Sequence, residues 1–150
     1  MSDAMIRPAQ PNDAARLRAI AQAAYAKYIP RMGREPAPMS ADYAAAIAAG
    51  HAVVITRDET VLGYLVGCVD GDTYFVDNVA VDPACQGEGF GEKLLRHAMA
   101  EAKSLRLSAL SLYTNAAMSE NLALYAHLGF VETHRVVEHG YNRVYMRLPL

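Results

Sequence analysis

The sequence predicts an α+β fold of the α/β/α type, in which about four helices flank a mixed, mostly antiparallel sheet of seven strands. In the first fifty residues, apolar side chains recur at spacings of three and four, which is the period of helices. From His51 onward, segments rich in Val, Thr, Tyr and Phe alternate with turn residues, which is typical of strands. The resulting element order is β-α-α-β-β-β-α-β-α-β-β.

The N-terminal region is predicted to contain a strand and then a helix. The strand spans Met5 to Gln10, and Asn12 or Asp13 can accept the backbone N–H groups that open the helix. This helix has one apolar stripe and runs to about Tyr28, and Pro30 is expected to stop it.

A second helix and three strands follow. Ser40 is predicted to cap a short helix that runs through Ala49. Asp58-Glu59 and Asp70-Gly71-Asp72 are residue types that tight hairpin turns require, so we expect the strands around them to form an antiparallel meander. These strands are His51 to Arg57, Thr60 to Val69 and Thr73 to Val81.

The second half of the chain alternates helices and strands. Gly129 is expected to close one helix, and Glu138-His139-Gly140 is expected to turn the chain between the last two strands. The predicted elements are a helix from Gly87 to about Ser104, a strand from Ala109 to Thr114, a helix from Ser119 to Leu128, and strands from Phe130 to Val137 and from Tyr141 to Leu148.

Length and composition predict one domain covering residues 1–150, because 150 residues with 53% hydrophobic side chains can bury one main core. The net charge of -2 provides no basic field for nucleic acid. Cys68 and Cys85 have no metal or disulfide spacing, which fits a reducing cytoplasm. Charged residues interrupt the first thirty positions, so neither a signal peptide nor a membrane span is expected.

The most informative segment is a turn with three glycines, Gly87, Gly89 and Gly91, after the strand end at Asp82-Pro83. Glycine permits positive φ and leaves no Cβ, so successive backbone N–H groups can point at one anion beside a helix start. A pyrophosphate fits this turn without Lys or Arg, neither of which occurs in it before Lys93. A purely structural tight turn is the alternative.

Two common nucleotide-binding motifs do not match this turn. Its spacing is G-x-G-x-G rather than G-x-G-x-x-G, and no acidic residue closes the next strand, which ends at Tyr113-Thr114-Asn115. No Gly-Lys-Ser/Thr follows, so a Walker loop is excluded.

With Gln86 the segment reads Gln-x-x-Gly-x-Gly after Val-x-Val-x-Pro, and it resembles the acyl-CoA-binding motif of the GNAT superfamily of N-acetyltransferases. A second block, Asn121 to Phe130, resembles the family's later motif, with an Asn, a Tyr four residues on and a terminal Gly-Phe. The element order agrees over nearly the whole chain.

The resemblance implies an acetyl-CoA-dependent N-acetyltransferase, an acyltransferase that transfers groups other than aminoacyl groups. Acetyl-CoA is the co-substrate, no metal is needed, and an acceptor amine attacks directly without an acyl-enzyme. The backbone of Val79 and Val81 is expected to bind pantetheine, and an N–H near Val79 to polarise the thioester carbonyl. The full set of cofactor-binding residues is expected to be Val79, Val81, Gln86, Gly87, Glu88, Gly89, Phe90, Gly91, Asn121 and Tyr125.

Two side chains are candidates for proton transfer. Tyr125 shares a helix face with Asn121 and could protonate the departing thiolate, or it could be a core aromatic. Asp77 alternates with Val79 and Val81 and could deprotonate the acceptor amine, or it could cap a loop or bind the substrate's ammonium group.

The acceptor is expected between two loops, Arg31 to Met39 and Glu138 to Tyr141, and it is not identified by the sequence. Tyr113 and Asn115 could line the cleft. The five histidines lack metal-ligand spacing, and Cys85 is expected to be a small, partly buried side chain. A homodimer through the apolar final strand stays open. The rival functions are a non-catalytic acyl-CoA sensor or interaction module and a plain nucleotide-binding domain.

Overall fold

A computed structural model describes residues 3–150 and contains one seven-stranded sheet in this range, with strand order β1-β2-β3-β4-β5-β7-β6. The strands are β1 Met5–Pro8, β2 Ala52–Arg57, β3 Thr60–Asp70, β4 Thr73–Val81, β5 Ala109–Asn115, β6 Val131–Glu138 and β7 Tyr141–Pro149. The helices are α1 Ala14–Tyr25, α2 Ile29–Met32, α3 Tyr43–Ala48, α4 Phe90–Ser104 and α5 Ser119–His127. Since α2 is a single turn, the predicted α+β class with about four helices is confirmed.

The described chain divides into two compact units. The first contains residues up to Gly67 together with Asn78–Leu95, and the second contains Cys68–Asp77 and Arg96–Leu150. The expectation of a single domain over residues 1–150 stays a prediction.

In the first unit, α1 buries its apolar stripe, with Leu17 and Ile20 almost fully inaccessible. β1 and β2 pair antiparallel, and so do β2 and β3. A Cβ added at Gly63 of β3 would lie 2.8 Å from the carbonyl oxygen of Ala80, so only glycine fits where β3 meets the end of β4. The buried amide of Asn78 is satisfied, because the Tyr64 hydroxyl donates to its Oδ1 at 2.5 Å.

In the second unit, β4 runs parallel to β5, and this ladder pairs Thr73–Val76 with Ala109–Leu112. β5 pairs antiparallel with β7 as far as Asn115 opposite Arg143, and β7 pairs antiparallel with β6. Leu110, Leu112 and Val144 are buried on one face of these strands. The sheet is therefore mixed, because a parallel pair adjoins antiparallel ones.

Turn residues were predicted well. Asp58 and Glu59 adopt φ of 51° and 67°, and His139 and Gly140 adopt 50° and 80°, as tight hairpin turns between twisted strands require. Gly129 has φ of 103° just after α5, so its predicted role in closing the helix is confirmed.

The predictions at the first helices were wrong in detail. Pro30 does not stop the helix, because it lies at the start of α2, where a missing N–H costs nothing, and the chain turns at Gly33 with φ of 71°. Ser40 does not cap α3; the Asp42 side chain does so by accepting from Ala45 N–H at 3.0 Å. The carboxylate of Asp13 accepts the N–H of Gln10 instead of groups inside the helix.

Two further boundaries differ from the expectation. β1 ends at Pro8, since a one-turn 3₁₀ helix at Pro11–Asp13 precedes α1. The predicted helix from Gly87 begins only at Phe90, because Gly87 and Gly89 have φ of 87° and 81°, values that a right-handed helix excludes.

Candidate active site

The end of β4 directs the backbone groups of alternate residues to opposite sides. Asp82 N–H donates to the carbonyl of Leu62 in β3 at 2.8 Å, and the Ala80 carbonyl also faces β3. Because alternate residues of a strand point their N–H and C=O groups in opposite directions, those of Val79 and Val81 point away from β3. This is the edge that is expected to bind pantetheine.

Side chains already occupy both carbonyls on this edge. The buried Tyr25 hydroxyl donates to the Val79 carbonyl at 3.0 Å, and Gln86 Nε2 donates to the Val81 carbonyl at 3.4 Å. A strand-like ligand added here would meet N–H donors from β4, and each carbonyl oxygen keeps a second lone pair beside its side-chain donor. Tyr25 was predicted only as part of the apolar stripe of α1, and nothing local in the sequence indicates this bond to a residue 54 positions away.

Asp82 connects the strand end to α1. One carboxylate oxygen accepts from Ala84 N–H at 3.0 Å, and the other accepts from Arg16 Nη2 at 2.6 Å. The Ala84 bond, followed by the Arg16 bond, holds the pKa of Asp82 below its ordinary value. Arg16 Nε also donates to the Val61 carbonyl at 3.0 Å. The Arg16 guanidinium therefore connects Asp82, just before the turn, to Val61 of β3.

The glycine turn has the backbone geometry of an anion cradle. Gly87 and Gly89 adopt positive φ, and a Cβ at either would contact no atom within 4 Å, so conformation rather than space demands glycine. The helical bond from Lys93 N–H reaches the Gly89 carbonyl at 3.0 Å. The N–H groups of Phe90 and Gly91 precede it and have no carbonyl within the helix, so they suit a pyrophosphate.

A cation reaches the turn through the fold rather than through the local sequence. Arg57 at the end of β2 places both Nη atoms 3.3 Å from Glu88 Oε1, with its guanidinium 5.1 Å from the Phe90 ring centroid. Its Nε is buried without a hydrogen-bond partner among residues 3–150. The Phe90 side chain is itself buried, so only its backbone is available to a ligand.

Asn121 and Tyr125 lie one helical turn apart on α5, in the second unit. Tyr125 is 5% exposed, and its ring centroid lies 5.6 Å from that of Phe130, so the ring packs in the core. Asn121 is half-buried and donates to Met118 Sδ at 3.6 Å. Phe130 N–H closes this block by donating to the Tyr125 carbonyl at 3.0 Å.

Asp77 also belongs to the second unit and is exposed. It follows Phe75 by two residues on β4, so both side chains lie on one face of the strand. The Phe75 ring centroid is 5.8 Å from that of Tyr113 on β5, which puts this aromatic pair on the same face.

Over residues 3–150, no group of three His, Cys, Asp or Glu side chains could hold a metal ion. Within the same range, none of the helices has the length and hydropathy to cross a bilayer. Cys85 is half-buried, as expected.

Three solved structures cover nearly all of the chain. They are the ribosomal-protein-S18-alanine N-acetyltransferase of Escherichia coli, the PaiA N-acetyltransferase of Thermoplasma acidophilum in complex with coenzyme A, and YncA, a putative acetyltransferase of Salmonella typhimurium with acetyl-CoA. Their identities are 22%, 15% and 24%, and their TM-scores are 0.77, 0.83 and 0.75. The alignments cover 98%, 99% and 99% of this chain and 94%, 99% and 95% of those chains. At such identities these similarities support the fold.

A search of curated proteins found no match. The family model described as the acetyltransferase (GNAT) family matches residues 16–130, which is more than half of the chain and includes both sequence motifs. The expectation that the protein is an enzyme of the N-acetyltransferase class is thereby confirmed at the level of its family. The chain belongs to the GNAT family of acetyltransferases.

Proposed function

We propose that the protein transfers the acetyl group of acetyl-CoA to an acceptor amine by direct attack. The main support is the edge of β4, where Tyr25 and Gln86 occupy the carbonyls of Val79 and Val81. The N–H groups of Val79 and Val81 lie on the same edge. This edge comes just before the glycine turn, whose backbone N–H groups suit a pyrophosphate. Relatives of the same fold that were solved with coenzyme A or acetyl-CoA add support.

Three residues have roles in the proposed reaction. The Val79 N–H polarises the acetyl carbonyl as negative charge develops on its oxygen. The amine nitrogen forms a bond to the carbonyl carbon, the carbon–sulfur bond breaks, and Tyr125 gives its proton to the departing thiolate. Asp77 accepts a proton from the amine, which is mostly protonated at neutral pH.

Measuring thiol release from acetyl-CoA in the presence of amines, polyamines, amino acids and peptides with free N-termini tests this function. We expect release that depends on one acceptor class. Binding of acetyl-CoA without release under any acceptor would instead identify a sensor module. Binding of ATP or NAD without CoA would identify a nucleotide-binding domain.

The variant Tyr125→Phe tests the proton donor. We expect kcat to fall roughly 10²-fold with little change in the KM for acetyl-CoA, because the ring packing against Phe130 remains while the proton is lost. Full turnover in this variant would leave Tyr125 a core aromatic only. The matched control is Tyr74→Phe, which removes a hydroxyl from β4 without touching α5.

We also propose that the protein acts in the cytoplasm. The two cysteines are free and half-buried, which suits a reducing compartment. Fractionation of the native host is the direct measurement.

A further inference from the structure

A row of four aromatic rings crosses one half-buried face of the second unit. The centroids of Phe75 and Tyr113 are 5.8 Å apart, and those of Tyr113 and Tyr145 are 5.4 Å apart. His134 stacks on Tyr145 at 4.4 Å with an interplanar angle of 10°. We refer to these residues on β4, β5, β7 and β6 as the aromatic row.

Arg143 lies on the aromatic row. Its guanidinium carbon is 4.3 Å from the Tyr113 ring centroid and 5.7 Å from that of Tyr141. Only 14% of its side chain is exposed. A planar cation held between rings keeps its N–H donors in a fixed direction, which reduces the entropy lost when it binds a planar anion.

The charge of Arg143 is only partly compensated. Its Nη1 donates to Glu138 Oε2, and at 3.5 Å this bond is long. The Arg143 side chain also hydrogen-bonds the hydroxyl of Tyr145. Tyr145 O–H donates to the other carboxylate oxygen of Glu138, Oε1, at 2.5 Å, and this bond raises the pKa of Tyr145. A guanidinium has five N–H donors, so most of those on Arg143 stay unused.

The Arg143 side chain is partly accessible. Within residues 3–150, Arg57 Nε is the buried side-chain nitrogen or oxygen without a hydrogen-bond partner. None of the Arg143 nitrogens is both buried and without a hydrogen-bond partner. The exposed 14% of the Arg143 side chain is in contact with solvent. An accessible, preoriented guanidinium on aromatic rings favours a carboxylate, which it can bind through two parallel hydrogen bonds.

We propose that Arg143 binds a carboxylate on the acceptor, so the acceptor class is an amine that also carries a carboxyl group. This rests on the proposed acetyl transfer. Asp77 supplies a negative charge for the ammonium group of the acceptor. It lies on the same face of β4 as Phe75, one residue beyond Val76. The parallel ladder between β4 and β5 ends where Val76 pairs with Leu112. β4 and β7 are two strand spacings apart, about 10 Å, which favours acceptors with several bonds between amine and carboxylate.

The test compares acceptors that differ only in the carboxylate. Glycine, β-alanine, γ-aminobutyrate and short peptides are assayed beside their primary amides by thiol release, and calorimetry measures equilibrium binding of each in parallel. For the wild-type protein we expect kcat/KM about tenfold or more higher for the acids than for the amides, and the difference should appear in KM.

Variants assign this preference to Arg143. Arg143→Gln should bring acids and amides to within about twofold of each other. Glu138→Gln should strengthen the preference for acids, because it removes the carboxylate that competes for Arg143, and misfolding cannot produce such a gain. Arg135→Gln on β6, which removes an exposed arginine paired with Glu132, is the control and should leave the preference unchanged.

Each alternative outcome contradicts the proposal in a distinct way. Thiol release without a preference for acids, or a preference that survives Arg143→Gln, overturns the carboxylate site but leaves acetyl transfer intact. If no amine supports thiol release, the proposed function is overturned. In that case, equal binding affinity for acids and amides by calorimetry overturns the Arg143 site independently. A preference that Arg143→Gln removes and Glu138→Gln increases supports it.

Discussion

At the residue scale, Tyr25 has a role that its place in an apolar stripe conceals. Its ring is buried in the first unit, while its hydroxyl binds the Val79 carbonyl at the proposed pantetheine edge. Tyrosine is suited to such a position because its body is apolar and its tip can donate one hydrogen bond.

Tyr25→Phe should leave the Val79 carbonyl without this donor. We expect the free energy of unfolding to fall by about 1 kcal/mol, the net value of a typical buried hydrogen bond. The KM for acetyl-CoA should rise several-fold, since the β4 edge is no longer held. Tyr74→Phe is the control, because the Tyr74 hydroxyl makes no hydrogen bond within residues 3–150 and should leave that KM unchanged. Equal KM values in both variants would contradict a role for Tyr25 in shaping the edge.

At the scale of single elements, the segment from Asp82 to Phe90 owes its form to contacts at both ends. Asp82 is bound by Ala84 and Arg16 before the glycines, and Glu88 is bound by Arg57 near α4. The Arg57 and Glu88 pair is partly exposed, so its direct contribution to stability is small. Its effect is to keep one cation beside the backbone donors of the turn.

Gly89→Ala tests the turn against a glycine of similar conformation elsewhere. Gly89 and Gly33 have φ of 81° and 71°, and a Cβ at either has nothing within 4 Å. Both alanine variants should therefore lose a similar stability, about 1 to 2 kcal/mol by thermal unfolding. We expect the KM for acetyl-CoA to rise only for Gly89→Ala. A similar rise for Gly33→Ala would mean that general destabilisation, and not the turn, weakens binding.

At the scale of the whole molecule, acid stability should depend on carboxylates that are hydrogen-bonded in the first unit. The Asp13 carboxylate accepts from Arg7 Nη1 at 2.8 Å and from Gln10 N–H at 2.7 Å. The Arg7 bond is the main cause that lowers the pKa of Asp13, and hydrogen bonds lower the pKa of Asp82 in the same way.

Because these pKa values are lower in the folded state than in the unfolded state, the stabilisation is complete above the ordinary aspartate pKa of about 3.9. It is lost as the pH falls through the folded values. Asp13→Asn should reduce Tm at neutral pH and flatten its decrease as the pH falls below about 4. Asp70→Asn at an exposed turn is the control and should retain the wild-type profile; an unchanged profile for Asp13→Asn would contradict the assignment.

The features predicted correctly depend on near neighbours in the chain. The positive φ at Gly87 and Gly89, the Asp58-Glu59 turn and the end of α5 at Gly129 all follow from local backbone chemistry. The errors at Pro30 and Ser40 arose where two local signals competed within a few residues. Proline suits a first helical turn as well as a stop, and Asp42 outcompeted Ser40 as the cap.

The sequence by itself determined the family, the fold class and the place of the glycine turn, because two motifs and a run of glycines encode them locally. The tertiary structure alone brought Tyr25 to Val79, Arg57 to Glu88 and Arg143 to Tyr113, across 54, 31 and 30 positions. Such contacts depend on which strands and helices pack together. Hydrophobic patterning predicts which face of an element is buried, but it does not predict which residue the polar end of each side chain will hydrogen-bond.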